Sequence, residues 1–296
     1  MAHEKRSLGG TVVAITGGAR GIGRATAEAL VAEGCRVAIG DLDADLAEQT
    51  ATELGGGTVA IELNVTERDS FAEFLDDAER QLGPLDVVIN NAGIMPIGPF
   101  SAEDDATAQR MVDINLHGVI FGTKLALERM EPRGRGHIVN IASQAGKGGL
   151  PGGATYCATK HAVVGLSEAV RAELDGTGIE VHCVMPAVVN TELGSGLKDL
   201  RGIKKLEAPE VAAAIVEALQ TGRFEVWVPR SSKAISIVMT LVPRRGREAI
   251  AHFLGADKVL SQPDTGARAS YEERAARSEP GMEPEALRNT QSSAAP

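Results

Sequence analysis

Apolar runs and helical stretches alternate along the first 230 residues. Seven runs, TVVAIT (11–16), CRVAIGD (35–41), TVAIELNV (58–65), LDVVINNAG (85–93), HIVNIAS (137–143), IEVHCVMP (179–186) and FEVWVP (224–229), are almost continuously hydrophobic. Strands covered on both faces read this way, whereas half-exposed strands alternate. The stretches between them, such as GRATAEALVAEG and VAAAIVEALQTG, carry apolar residues at helical spacing and close on glycine. The pattern predicts a doubly wound α/β domain over 8–230, a seven-stranded parallel sheet with helices on both faces. Right-handed crossovers then bring every strand-to-helix loop to one sheet edge, where a ligand binds.

The pattern changes after residue 230. SSKAISIVMTLVPRRGREAIAHFLG (231–255) predicts one or two apolar helices, broken at Pro243. Such a segment lies over the substrate mouth, packs at a subunit interface or rests on a membrane surface; a lid or interface role is the expectation. From 256 to 296 the chain is rich in Ser, Pro, Glu and Arg. That composition predicts a disordered or loosely draped tail, and truncation after Gly255 is expected to be nearly neutral.

The 296 residues are 43% hydrophobic and 24% charged, the balance of a soluble protein with a sizeable core. The net charge of −10 argues against nucleic acid or an anionic membrane as the main partner, although Arg244, Arg245 and Arg247 cluster locally. Cys35, Cys157 and Cys183 are too few and too scattered for a disulfide framework or a zinc site, so reduced thiols are expected. His117, His161 and His182 have no acidic or cysteine partner at metal-ligand spacing and read as packing residues; no metal is expected. Neither a signal peptide nor a run of about 18 apolar residues is visible, so a cytoplasmic protein with no integral membrane segment is expected.

The first candidate chemistry is AITGGARGIGRATAEAL, which follows the first strand and opens a helix. Gly17 permits a tight turn, Gly21 lets the backbone approach a pyrophosphate, and Gly23 lets helix and strand pack closely. The helix N-terminus adds free N–H groups and partial positive charge for phosphates. Asp41 ends the second strand, 24 positions after Gly17. Its carboxylate accepts hydrogen bonds from a ribose diol and repels a 2′-phosphate, which selects NAD over NADP. Leu42 supplies no compensating cation, while Arg20 pulls the other way as a possible phosphate ligand.

The second is SQAGKGGLPGGATYCATK (143–160), where Lys160 follows Tyr156 by one helical turn. Hydride transfer to a carbonyl needs a proton donor, a group that polarises the oxygen, and a route to resupply the proton. Tyr156 serves as acid or base, but its ordinary pKa is about 10. The Lys160 charge on the same helix face, with that of the oxidised nicotinamide, favours the tyrosinate and lowers that pKa. Ser143 ends the fifth strand at the same edge and donates to the substrate oxygen. The glycine-rich 146–153 reads as a wall of the substrate pocket.

With these residues in place the chain resembles the short-chain dehydrogenase/reductase family over about 8–230. TGGARGIG, which contains Ile22, resembles the family's TGxxxGxG loop. NNAG, with Asn91, Ala92 and Gly93, resembles its strand-four signature; INLHG carries Asn115; IASQAG and YCATK supply Ser143, Tyr156 and Lys160. The resemblance implies a Rossmann-like fold and a Tyr–Lys–Ser–Asn site. It also implies that Lys160 binds the nicotinamide ribose, that Asn115 holds a water beside the lysine, and that Val189 and Thr191 hold the carboxamide. Two departures stand out: Asn64, before Val65, replaces an Asp that contacts adenine, and Pro186-Ala187 replaces Pro-Gly. The expected function is interconversion of a lipophilic secondary alcohol and ketone with NAD, in a homodimer or homotetramer. The alternatives are an NADP-dependent 3-ketoacyl-type reductase and a non-catalytic dinucleotide sensor. A sensor has no need to keep Asn115, Ser143, Tyr156 and Lys160 together.

Overall fold

The computed structural model describes residues 5–198 and 204–278. Its main sheet contains β1 (Val12–Thr16), β2 (Arg36–Asp41), β3 (Val59–Glu62), β4 (Val87–Asn90), β5 (Gly136–Ile141) and β6 (Ile179–Pro186). A short pair, β7 (Val189–Asn190) and β8 (Leu206–Glu207), follows, and β9 (Glu225–Val228) completes the sheet. The order is β3-β2-β1-β4-β5-β6-β9, and every pairing is parallel. The crossover between β3 and β4 passes back over β1, so a crevice opens beyond the carboxyl ends of β1 and β4. The seven predicted strands are all present.

Both faces of the sheet are covered, which explains the unbroken apolar runs. Val12 and Ala14 of β1 face one core with Phe71, Phe74 and Leu75 of α3 (Arg68–Leu82). Val13 and Ile15 face the other, with Leu30 of α1 (Gly21–Ala32) and Ile215 of α7 (Ala208–Thr221). Between these, α2 (Ala44–Leu54) follows β2, α4 (Asp105–Val112) and α5 (Gly118–Met130) lead to β5, and α6 (Ala154–Glu173) leads to β6. A π-turn over Asp113–His117 joins α4 to α5. Cys35, Cys157 and Cys183 are buried free thiols.

Beyond β9 the chain forms α8 (Ser231–Leu241) and α9 (Arg244–Leu254), divided at Pro243 as the sequence predicts. The tail departs from expectation. Residues 256–278 are structured: Ala256–Lys258 form a 3-10 turn and Thr265–Ala276 form α10, capped by the Asp264 side chain accepting from Ala267 N at 3.1 Å. Val259, Leu260, Arg268, Tyr271 and Ala275 are buried. The buried face of α10 consists of Arg268, Tyr271 and Ala275 at helical spacing, so hydropathy alone reads the segment as polar. The part of the predicted tail from 279 to 296 lies outside the described residues. Among the described residues no helix is long and apolar enough to cross a membrane.

Candidate active site

A cavity of about 1330 Å³ opens at the carboxyl ends of the strands. It exceeds the roughly 300–1,000 Å³ of a typical small-ligand pocket, leaving room for a dinucleotide and a second molecule. Gly17, Arg20, Gly21, Ile22, Asp41, Leu42, Asn64 and Val65 line one end, and Asn91, Ala92 and Gly93 the floor. Ser143, Tyr156 and Lys160 line the middle, opposite Val189 and Thr191. Gly23 and Asn115 are not among the cavity's lining residues: Gly23 packs on Gly17 O and the Asn91 side chain, and Asn115 bonds to Ile94.

The glycine loop is shaped for close approach. Gly17 has φ +64°, and a Cβ there would stand 2.9 Å from the Ala92 Cα. Asn91 ties the loop to β4: its Nδ2 donates to Thr16 O and Gly17 O, each at 2.9 Å. Asn91 N and Ala92 N donate to the Thr16 hydroxyl at 3.0 Å. Arg20 makes no side-chain cap, so the first N–H groups of α1 face the cavity with the positive end of the helix dipole. The loop fits a pyrophosphate.

Asp41 accepts from Ala19 N at 3.1 Å and Asp43 N at 3.2 Å. Burial pushes its carboxyl above the usual range, against the pull of those donors and of Arg20. Arg20 itself is held between two carboxylates, Asp43 at 2.5 Å and Glu192 at 3.5 Å. Its charge is thus paired within the chain.

The sequence-predicted catalytic side chains Ser143, Tyr156 and Lys160 lie together at the carboxyl end of β5. Tyr156 and Lys160 share a face of α6, and both are buried. Lys160 Nζ donates to Ile141 O at 2.8 Å and lies 5.8 Å from the Tyr156 ring centroid. Burial pulls the Lys160 ammonium down to about 8. Burial also pushes the Tyr156 phenol up to about 12, although a hydrogen bond with Ser143 opposes this. Desolvation of the phenolate is the larger effect on this buried ring. Asn115 lies in the π-turn. Its Nδ2 donates to Ile94 O and its Oδ1 accepts from Ile94 N, both at 2.8 Å. The amide braces the loop after β4, and its Nδ2 also reaches the Thr159 hydroxyl at 3.3 Å.

Sequence patterning missed the clamp that α10 places over this site. Arg268 Nη1 donates to Leu193 O and Ser195 O at 2.9 Å, and Nη2 donates to Met95 O at 2.8 Å. Met95 N donates to the Tyr271 hydroxyl at 2.6 Å. The Arg268 guanidinium stacks 4.7 Å from the Tyr271 ring centroid. One buried arginine therefore joins the loop after β4 to the segment after β7. The available signal was Tyr271, the second of only two tyrosines, one turn from an arginine.

Burial pushes Tyr271 upward as it does Tyr156. Both phenols hold their protons more tightly folded than unfolded, so their contribution to stability is complete below pH about 10 and is lost as pH rises past it. Absorbance at 295 nm is expected to stay flat through the ordinary tyrosine titration near pH 10 in the native protein. The two phenolates should then appear together with unfolding. A native-state titration of one tyrosine at pH 10 is the contrary result.

A profile of the short chain dehydrogenase family matches residues 11–201. This chain belongs to the short-chain dehydrogenase/reductase family. It is 40% identical over 216 residues to 2-(S)-hydroxypropyl-CoM dehydrogenase 3 of Xanthobacter autotrophicus, covering 72% of this chain and 83% of that one. It is 38% identical over 257 residues to a 3-alpha-(or 20-beta)-hydroxysteroid dehydrogenase of Mycobacterium tuberculosis, covering 86% and 96%. A crystal structure of a short-chain dehydrogenase/reductase from Burkholderia phymatum in complex with NAD superposes with a TM-score of 0.74 at 25% identity, over 80% of this chain and 95% of the other.

The family departures noted in the sequence have local explanations. Asn64 is committed to its own turn: Oδ1 accepts from Thr66 N at 3.1 Å and Nδ2 donates to Glu67 at 2.9 Å. Ala187 N donates to Val228 O at 2.8 Å, so the chain stays in register with β9 past Pro186. The reading of the histidines as lacking acidic partners is corrected for two of them. His117 Nδ1 lies 2.7 Å from Asp113, and His182 meets His137 at 3.1 Å and Glu180 at 4.0 Å at the opposite sheet edge. Arg6 pairs with Glu180 at 2.7 Å, and His182 Nδ1 donates to Arg223 O, so this group is a satisfied hydrogen-bonded chain.

Proposed function

We propose that this short-chain dehydrogenase/reductase interconverts a lipophilic secondary alcohol and ketone with NAD. The observation that supports it best is the convergence of Ser143, Tyr156 and Lys160 on one cavity wall beside the glycine loop and Asp41. The nicotinamide supplies the hydride in reduction and accepts it in oxidation. Asp41 would accept from the adenosine ribose diol, and Val189 and Thr191, which line the cavity, would hold the carboxamide. Lys160, at about 8, is mostly ammonium at neutral pH. It holds the nicotinamide ribose and lowers the cost of a negative charge on Tyr156. In reduction the Tyr156 hydroxyl gives its proton to the carbonyl oxygen, which Ser143 polarises; in oxidation the phenolate takes that proton back. Asn115 keeps the loop after β4 beside Lys160, and proton resupply runs along that wall.

An apolar substrate is favoured by the walls Ile94, Met95, Leu150, Leu193, Val259 and Leu260, and by the relative named for hydroxysteroids. The sensor alternative has one point in its favour: a relative 39% identical over 187 residues is described as inactive. This chain nevertheless keeps all four reacting positions. The NADP-dependent alternative meets both the Asp41 carboxylate and the paired Arg20.

The test is steady-state turnover over a panel of ketones and alcohols with each dinucleotide. NAD(H) is expected to be preferred by at least about tenfold, or 1.4 kcal/mol, and Asp41→Ala is expected to erode the preference. Equal use of NADP(H) by the unaltered protein overturns the assignment to Asp41. No turnover across the panel returns the reading to a sensor.

A further inference from the structure

The chain holds two tyrosines, and both line the same cavity. Tyr156 has its task in the alcohol–ketone reading, whereas Tyr271 has none there. Tyr271 reaches the cavity wall from α10 and is only 6% exposed. Its bonding is half complete. A backbone N–H can only donate, so the Tyr271 oxygen, 2.6 Å from Met95 N, is the acceptor of that bond. The phenolic proton points elsewhere. Among the described residues no group accepts it. The Arg268 guanidinium stacked on the ring carries donors alone. Buried tyrosines usually place their O–H on a partner. A buried donor without an acceptor, on a ring that lines a cavity, has its partner in what enters the cavity.

The donor is also held in place. Arg268 is tied to Met95 O, Leu193 O and Ser195 O, and its guanidinium lies 4.7 Å from the Tyr271 ring centroid. Met95 N fixes the oxygen itself. Donors fixed before the ligand arrives need no reorganisation when it binds. Tyr271 is close enough to Tyr156 for a charge there to oppose its own ionisation. The reacting carbonyl oxygen nevertheless has only two lone pairs, and in the proposed reaction Tyr156 and Ser143 take both. The Tyr271 proton is left for a different oxygen nearby.

We propose that Tyr271 donates a hydrogen bond to a second substrate oxygen, carried on the carbon beside the reacting one. The preferred substrates are then apolar molecules with vicinal oxygens: a diol, a hydroxy ketone or a diketone. This rests on the alcohol–ketone reading and narrows its substrate class. The test compares 2,3-octanedione with 2-octanone, which differ in the second oxygen alone, in NADH-dependent reduction by the wild type and Tyr271→Phe. The variant is expected to lose at least about fivefold more kcat/KM on the dione than on 2-octanone, the worth of one neutral hydrogen bond. Each ketone is compared with itself across the two proteins, so the higher intrinsic reactivity of the dione cancels. Loss of the Met95 bond alone weakens both ketones alike, and equal losses overturn the proposal. Retained NAD affinity shows that the variant is folded. Calorimetric affinities of the NAD-loaded proteins for the same two ketones separate this inference from the reading beneath it. If neither ketone is reduced, the alcohol–ketone reading suffers, and a dione preference that Tyr271→Phe erases still supports the donor. A dione preference that survives the substitution, or binding of neither ketone, overturns it.

Discussion

Tyr156→Phe is expected to lower turnover by about a hundred- to ten-thousandfold, the range for loss of a positioned general acid. Dinucleotide affinity should be unchanged. The substitution removes one oxygen from a buried side chain and leaves the ring in place, so the fold is preserved. What disappears is the proton that the alkoxide needs and the partner of Ser143. Lys160→Ala should behave differently. It removes the ammonium beside the ring and the bond to Ile141 O, so both turnover and dinucleotide affinity should fall. Single-turnover kinetics with a direct affinity measurement separate the two patterns. A Tyr156→Phe protein that kept most of its activity with chemistry rate-limiting would place the proton donor elsewhere.

Truncation after Gly255 is expected to raise KM for an apolar substrate by at least about tenfold and to lower thermal stability, with NAD affinity retained. This reverses the near-neutral effect that composition predicts. The cut removes Val259, Leu260 and α10, and with them the Arg268 bonds to Met95 O, Leu193 O and Ser195 O. Hydrogen bonds to charged groups contribute about 1.5–3 kcal/mol each, and carbonyls left without partners add a desolvation cost where they stay buried. Arg268→Ala isolates that effect and is expected to cost roughly 3 kcal/mol in a chemical denaturation midpoint. Arg268→Lys should recover only part of it, because an ammonium lacks the planar fork that reaches three carbonyls. Tyr271→Phe, which loses the acceptor for Met95 N alone, should cost about 1 kcal/mol. Unchanged KM in both the truncation and Arg268→Ala would reduce α10 to a structural cap with no hold on the substrate end.

The chain's local patterns determined most of the sheet and the placement of Tyr156 and Lys160 on one helix face. Continuous apolar runs are a direct consequence of strands covered on both faces, and all seven appear where the runs lie. The Tyr156–Lys160 spacing works through helix geometry, and the glycine loop through the turn after β1; each needs only its own neighbours. Tertiary structure decided what depends on distant groups. Arg20 is answered by Asp43 and Glu192, and Glu192 is remote in sequence. The Asn115 amide bonds to Ile94 and Thr159, neither of them near it in sequence. Tyr156 is pushed upward by its burial, which a Tyr-x3-Lys motif does not show. The clearest case is α10. Arg268 reads as a surface residue until the carbonyls of Met95, Leu193 and Ser195, contributed by two other segments, converge on its guanidinium and make its burial favourable. Hydropathy scores a side chain by its own chemistry, whereas a buried arginine is stable only through partners that folding brings to it.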